Sequence, residues 1–142
     1  MKNPKKLTVS TAKAKAWHEF SIFIRRRDST TFGTQCYTCG KYYPIEKMQA
    51  GHFIQGRHAT HLFDERFCHA QCSLCNIFNH GALFDYEEHL IKDYGKEVVE
   101  EAKAHRKDIK QFKVYELEEI YQKYKALNKT EELTEQFWHD AI

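Results

Sequence analysis

The stretch HAQCSLCN, residues 69–76, holds a cysteine pair of the form CxxC and an asparagine directly after the second cysteine. Another CxxC pair stands upstream in CYTCG, and 32 residues separate the two pairs. Each CxxC turn brings two thiolates to the spacing of neighbouring ligands on one ion, and two such turns complete a tetrahedral site. The pattern therefore predicts a structural Zn2+ held by Cys36, Cys39, Cys72 and Cys75.

The composition is that of a single folded domain. The chain has 142 residues, 42% of them hydrophobic, which is enough for one domain with its own core. Its apolar runs are short and the opening MKNPKKLTVS lacks an apolar segment, so we expect neither a membrane span nor a secretory signal. A cytoplasmic protein keeps its cysteines reduced, which favours zinc over disulfides. Iron–sulfur ligation by the same cysteines is the remaining alternative.

Charge is distributed unevenly along the chain. Residues 1–66 carry 12 Lys and Arg against 5 Asp and Glu, whereas residues 67–142 carry 10 against 15. Basic clusters gain affinity for phosphate backbones by releasing counterions, so the first half suits DNA, although a solvated surface is the simpler alternative. The candidate phosphate contacts are Arg25, Arg26, Arg27 and Arg57. The first three equally complement the carbonyl end of a helix.

The order of elements predicts a mainly helical α+β chain that forms a single domain, residues 1–142. TAKAKAWHEFSIFIRRR, residues 11–27, has apolar residues at helical spacing after a Ser-Thr cap and is expected to form an N-terminal helix. Residues 33–82 are rich in turns and contain both cysteine pairs. Residues 83–142 have helical periodicity almost throughout and form a helical C-terminal region.

Two residues near the cysteines are candidates for chemistry. His52 ends a strand-like alternation in KMQAGH, where a lone histidine is ordinarily a half-buried residue with satisfied nitrogens. Between two metal-binding pairs it is also a candidate general base, because the pKa of imidazole lies near working pH. Asn76 is either a polar residue in a first helical turn or a hard oxygen ligand for Mg2+ or Mn2+.

These motifs resemble those of a known class of nucleases. CYTCGK, QAGHFIQGR and HAQCSLCNIFNHG stand in the order of the zinc-stapled core of HNH, or His-Me finger (ββα-metal), nucleases. AWHEFSIFIRRRD and YEEHLIKDYG extend the likeness to the phage NinG (Rap) recombination nucleases within that class. The similarity covers about residues 14–98.

The resemblance implies a fold and an activity. It implies a zinc-stapled ββα-metal core between an N-terminal helix and a C-terminal set of helices. His52 would be the general base, and Asn76 would bind one catalytic Mg2+ or Mn2+. The activity would be that of a structure-specific endonuclease on branched DNA recombination intermediates, such as Holliday junctions and D-loops.

The resemblance also implies a setting. The partner would be branched double-stranded DNA, and the enzyme would work as a homodimer, with no membrane and no small-molecule cofactor. Its location would be the cytoplasm of a phage-infected or prophage-carrying bacterium. The Tyr-rich C-terminal helices suit a dimer contact, or they only complete the core of one chain.

The chain departs from the HNH pattern at two positions. Many HNH nucleases place an aspartate before the base as a second metal ligand, and Gly51 stands there; Asp64 and Glu65 are candidate replacements. The middle asparagine that orients the base falls near Phe67. His69 is therefore a candidate to orient the base, to touch phosphate or to bind the ion, unless it only supports the knuckle.

Three hypotheses follow from these residues. The first is the nuclease, with His52, Asn76 and His69 as its catalytic residues. The second is a non-catalytic zinc-stabilised module that binds nucleic acid, with Gly51 and Phe67 as signs of lost chemistry. The third is a redox or iron–sulfur protein, which metal analysis would separate from both.

Overall fold

The computed structural model describes residues 6–56 and 59–140, with side chains up to residue 130. The fold is α+β, as expected: the chain has four α-helices and two small antiparallel sheets among the residues described. The helices are α1 (Val9–Arg27), α2 (Leu83–Tyr94), α3 (Lys96–Ala104) and α4 (Val114–Asp140). The strands are β1 (Ser29–Thr30), β2 (Gly33–Gln35), β3 (Tyr42–Tyr43), β4 (Met48–His52) and β5 (Cys68–Cys72). A 3-10 turn (Ile45–Lys47) precedes β4, and a π-helix (Leu74–Phe78) follows β5.

The first cysteine pair lies in the connection between two strands of one sheet, and His52 lies at the end of a strand of the other sheet. Strands β1, β2 and β3 pair in sequence order, and the chain turns between β2 and β3 through the CYTCG segment. Strands β4 and β5 form a separate antiparallel pair in which Gly51 lies opposite His69 and His52 opposite Cys68. The long connection between β4 and β5 therefore reverses the chain, so that β5 pairs with β4.

Helix ends differ in detail from the sequence expectation. Helix α1 begins two residues earlier than predicted, because the hydroxyl of Thr8, rather than Ser10 or Thr11, accepts the amide hydrogen of Thr11. Helix α2 ends at Tyr94, where Gly95 caps it with a φ of 93°, as predicted. The helical segment after β5 is a single wide turn, and it closes with a hydrogen bond from the Gly81 amide to the Cys75 carbonyl.

The chain packs as two compact units, residues 24–111 and residues 1–23 with 112–142. In the first, α2 and α3 pack over the loop after β4, and the core holds Phe53, Ile54, Ala59, Phe67, Tyr86, Leu90, Val99 and Ala102. A second cluster joins Met48 and Ala70 to Cys36, Cys72 and Cys75.

The second unit pairs the front of α1 with α4. Phe20 and Phe23 each place their ring centroid 5.0 Å from that of Tyr124. The Asn128 amide donates to the carbonyl oxygen of Glu19 at 2.9 Å and to its carboxylate at 2.8 Å. Tyr124, one of the tyrosines along α4, therefore packs in the interior of one chain. Within residues 6–56 and 59–140, no helix has the length and hydropathy to cross a membrane.

Candidate active site

The four cysteines form one cluster. Cys36 and Cys39 flank the turn after β2, Cys72 ends β5 and Cys75 lies in the π-helix. Their sulfur atoms all lie within 4.8 Å of one another, and those of Cys39 and Cys72 are 3.9 Å apart. Four thiolates at 2.3 Å from a tetrahedral Zn2+ are about 3.8 Å apart, so the cluster fits this ion. Such a closed site leaves no position for water and is structural.

Backbone geometry and hydrogen bonds around the cysteines favour metal binding by the cluster. Gly40 follows the second cysteine with a φ of 77° and donates its amide hydrogen to the Cys36 carbonyl at 2.9 Å, which reverses the knuckle. Burial opposes ionisation of Cys36, yet hydrogen bonds from Thr38 and from backbone amides lower the pKa of its thiol to about 6. Burial raises the pKa of Cys75 to about 12. A metal would therefore bind one cysteine that is already a thiolate, and it would displace the protons of other cysteines in the cluster.

His52 is held in one orientation by the backbone. Its Nε2 atom lies 2.9 Å from the carbonyl oxygen of Leu62, in the loop between β4 and β5. A carbonyl only accepts, so Nε2 carries the hydrogen and the neutral ring keeps its lone pair on Nδ1. Burial lowers the pKa of His52, and the bond to Leu62 opposes this only in part. The geometry thus gives a neutral imidazole with a basic Nδ1.

Asn76 reaches the strand that carries His52. Its amide nitrogen donates to Oε1 of Gln49 at 2.7 Å, which turns Oδ1 toward the backbone of Gly51. A Cβ atom built on Gly51 would lie 3.0 Å from that Oδ1. The metal-ligand candidate from the knuckle therefore lies beside the residue that directly precedes the candidate base.

Gln71 occupies the space that a side chain at residue 51 would need. Its Oε1 atom would lie 1.8 Å from a Cβ on Gly51, so any side chain there would have to displace the Gln71 amide. Its amide nitrogen donates to the Thr38 hydroxyl at 3.1 Å and to the Gly81 carbonyl at 2.9 Å. No pattern in the sequence marks Gln71, although it stands in HAQCSLCN directly before Cys72.

His69 is engaged in a network of its own. Its Nε2 donates to the Arg66 carbonyl at 3.0 Å, and its Nδ1 lies 3.0 Å from Arg27 and 3.6 Å from Asp28. The ring stacks on Tyr37 at 3.7 Å between centroids and is buried. Both ring nitrogens thus have partners within the protein. The His52 ring is contacted by the Leu62 carbonyl and not by His69. Of the roles expected for His69, support of the neighbouring structure matches these contacts, and a part in the reaction stays a prediction.

Arg27 supports the same network. Its guanidinium pairs with the Asp28 carboxylate at 2.9 Å and donates to the carbonyl oxygens of Glu65 and Cys68, each at 2.8 Å. Asp28 in turn accepts the amide hydrogen of Ala70 at 2.7 Å. Burial raises the pKa of Asp28, but the adjacent His69 ring and the hydrogen bonds from Arg27 and the Ala70 amide outweigh it, so the carboxylate stays ionised. Arg27 thus ties the end of α1 to β5.

The remaining predicted residues are placed as follows. The Asp64 carboxylate is bonded to the Arg66 side chain at 2.8 Å, and the backbone of Glu65 accepts from Arg27. Within residues 6–56 and 59–140, the cysteine cluster is the one group of three or more His, Cys, Asp or Glu side chains that could hold a metal. Arg25 and Arg26 are partly exposed. Arg57 lies outside the described residues, and its contact with DNA stays a prediction.

Comparison with known proteins identifies the family. The family described as "Bacteriophage Lambda NinG protein" matches residues 4–135, nearly the whole chain. The chain belongs to the NinG family. The NinG protein of Escherichia phage lambda is 35% identical over 112 residues, which are 75% of this chain and 52% of that protein. The NinG protein of Escherichia phage 933W is 36% identical over 85 residues, 59% of this chain and 40% of that protein.

The chain spans about half the length of these NinG relatives or less. The NinG protein of Salmonella phage P22 gives the same picture, with 35% identity over 88 residues, 61% of this chain and 41% of that protein. No solved structure is significantly similar to the chain. Family membership thus comes from sequence similarity, and any chemistry depends on the residues of the site itself.

Proposed function

We propose that this NinG-family chain is a metal-dependent endodeoxyribonuclease of the HNH, or His-Me finger, class. Its substrates are branched recombination intermediates such as Holliday junctions and D-loops, in the host cytoplasm. The observation that carries the proposal is the approach of Asn76 Oδ1 to Gly51, the residue directly before His52. The supporting order of elements is two antiparallel strands, β4 and β5, followed by a helical turn that carries Asn76.

His52 performs the proton transfer in this proposal. Nδ1 takes a proton from a water molecule, whose oxygen attacks the phosphorus of the scissile phosphodiester. The bond from phosphorus to the 3′ oxygen breaks, and that oxygen leaves with a proton from solvent. The Leu62 carbonyl keeps Nε2 protonated, which stabilises the imidazolium that forms. The products are a 5′-phosphate end and a 3′-hydroxyl end.

The two metals of the proposal have different ligands. The cysteine cluster would hold Zn2+ and fix the knuckle that presents Asn76. Asn76 would hold Mg2+ or Mn2+ through its amide oxygen, a hard ligand that suits these ions. When bound there, the ion supplies charge stabilisation at the phosphate and at the leaving oxygen. The amide of Gln49 orients Asn76 for this purpose.

Substrate binding and assembly complete the proposal. The excess of Lys and Arg in residues 1–66 supplies affinity for duplex DNA, with Arg25, Arg26 and Arg57 as phosphate contacts. A junction has two strands to cut in near two-fold symmetry, so we propose that two copies of the chain act together as a homodimer.

The deciding experiment measures cleavage of labelled DNA. A four-way junction, a D-loop and a plain duplex are incubated with the zinc-loaded protein and Mg2+ or Mn2+. His52→Ala is compared with wild type, and His105→Ala serves as the control because His105 is a solvent-exposed histidine in the same unit. We expect His52→Ala to lose about 10²–10⁴-fold of the cleavage rate and His105→Ala to lose none.

Two outcomes would reject the proposal. Undiminished cleavage by His52→Ala would show that another group is the base or that a contaminant is cutting. Binding of the junction without cleavage under any divalent ion would instead favour a non-catalytic zinc module.

A further inference from the structure

A buried amide oxygen lies unpaired at the heart of the candidate site. Gln71 is fully buried, and its Oε1 atom finds no hydrogen-bond donor among the residues that the structure describes. Interior polar atoms are normally paired, because losing water without a replacement partner costs free energy. An orphaned oxygen of this kind therefore points to a partner that a bare polypeptide does not contain.

The orientation of the Gln71 amide follows from its contacts. Its nitrogen faces the carbonyl oxygen of Gly81, which only accepts, and the Thr38 hydroxyl. Exchanging the nitrogen and oxygen would bring two acceptors together, so Oε1 is the atom that faces Gly51. The orphaned atom is thus an oxygen, which suits a hard cation.

A second amide oxygen faces the same place. A Cβ on Gly51 would lie 1.8 Å from Oε1 of Gln71 and 3.0 Å from Oδ1 of Asn76, so the two oxygens converge on one side of this residue. Gln71 is buried and Asn76 is partly exposed, so the pair extends from the interior toward the surface. Asp64, by contrast, is already committed to Arg66.

We propose that Gln71 supplies, through Oε1, the second protein ligand of the divalent cation held by Asn76, in place of a carboxylate at residue 51. This inference rests on the proposed function, whose cation it completes. Glycine at residue 51 then leaves the room that the Gln71 amide needs, because a side chain there and this amide would compete for the same space. Two neutral amides form a weaker site than one with a carboxylate, and water completes the coordination.

The test measures Mn2+ binding to the zinc-loaded protein by calorimetry and by the loss of free-Mn2+ electron paramagnetic resonance signal. Gln71→Met keeps the length of the side chain and removes the oxygen. Gln35→Met is the control, because the Gln35 amide also donates to a backbone carbonyl, that of Gly40, at 3.1 Å. We expect Gln71→Met and Asn76→Ala to weaken Mn2+ binding by at least about tenfold and Gln35→Met to leave it unchanged.

A compensating pair of substitutions keeps the inference testable even if Gln71→Met fails to fold. Gly51→Asp alone introduces a side chain against Gln71 and should impair folding. Gly51→Asp combined with Gln71→Ala places a carboxylate in the vacated space and should restore Mn2+ binding to the wild-type level or tighter. Zinc content and melting temperature without Mn2+ are measured for every variant.

The outcomes separate this inference from the proposed function. If Gln71→Met binds Mn2+ like wild type, or the wild type binds none, Gln71 is a structural amide and the inference is overturned. Cleavage that depends on His52 yet survives Gln71→Met would have the same meaning while leaving the nuclease proposal intact. Mn2+ binding that needs Gln71 in a protein that cuts no DNA would retain the site and reject the activity.

Discussion

Nε2 of His52 lies 2.9 Å from the carbonyl oxygen of Leu62. This contact determines which ring nitrogen is basic, because the carbonyl requires a hydrogen on Nε2 and leaves the lone pair on Nδ1. In the proposed nuclease it would do the work of the middle HNH asparagine, near whose place the buried Phe67 stands. A backbone carbonyl cannot be lost by side-chain substitution, so the proposed base would not depend on that asparagine.

The pH dependence of cleavage follows from the environment of His52. Burial lowers its pKa from the ordinary value of 6.5, and the base form is the unprotonated one. The midpoint of the decline of cleavage on the acid side should therefore lie below pH 6.5. The measurement is kcat/KM on a four-way junction between pH 5.5 and 8. A midpoint on the alkaline side of that value would contradict the assignment of His52 as the base.

Removal of zinc should unfold residues 24–111. The cysteine cluster joins the turn after β2 to β5 and the π-helix, so Cys72→Ser should lose the metal and the cooperative thermal transition. Cys68→Ala is the matched control, because Cys68 is buried in the same strand but lies outside the cluster. We expect about one zinc per chain in wild type and in Cys68→Ala. Full zinc content in Cys72→Ser would refute the four-cysteine site.

Asp28 should stabilise the end of α1 against β5. Asp28→Asn loses the charge that holds Arg27 and weakens the bond to the Ala70 amide. Hydrogen bonds to charged groups contribute about 1.5–3 kcal/mol, so denaturant unfolding at pH 7 should show a loss of that size. Glu88→Gln, in the exposed middle of α2, is the control and should stay within about 0.5 kcal/mol of wild type. Equal losses in both variants would remove any special role for Asp28.

Gly51 and Gln71 should be energetically coupled. Gly51→Ala places a methyl group against Oε1 of Gln71 and must displace an amide held by Thr38 and Gly81. Such overpacking costs about 1–3 kcal/mol. With Gln71→Ala already present the clash disappears, so the double variant should be more stable than the sum of the single losses. Additive losses in a denaturant series with zinc in excess would show that the side chains do not compete for this space.

Much of the fold could be predicted from local pattern. The cysteine spacing indicated the four-thiolate cluster, and the alternation before His52 matched β4. Helix α2 begins and ends where its apolar stripe and Gly95 predicted. These features are local because a helix, a strand or a CxxC turn is specified by residues within one or two turns of one another. Family membership, too, was implied by short motifs in order.

Tertiary structure decided how the residues around the cysteine pairs are used. Arg27 and His69, for which a structural role was open beside contact with DNA or a part in the reaction, bond to each other and to the backbone. Leu62 and Gln71 could not be foreseen: one acts through a carbonyl that every residue has, and the other through an oxygen whose isolation depends on contacts ten or more residues away. The sequence by itself thus determined the helices, the strand that ends at His52 and the cysteine cluster that could hold a metal. Only the folded chain decided which oxygen faces which nitrogen, because those pairings are long-range and any polar group could have made them.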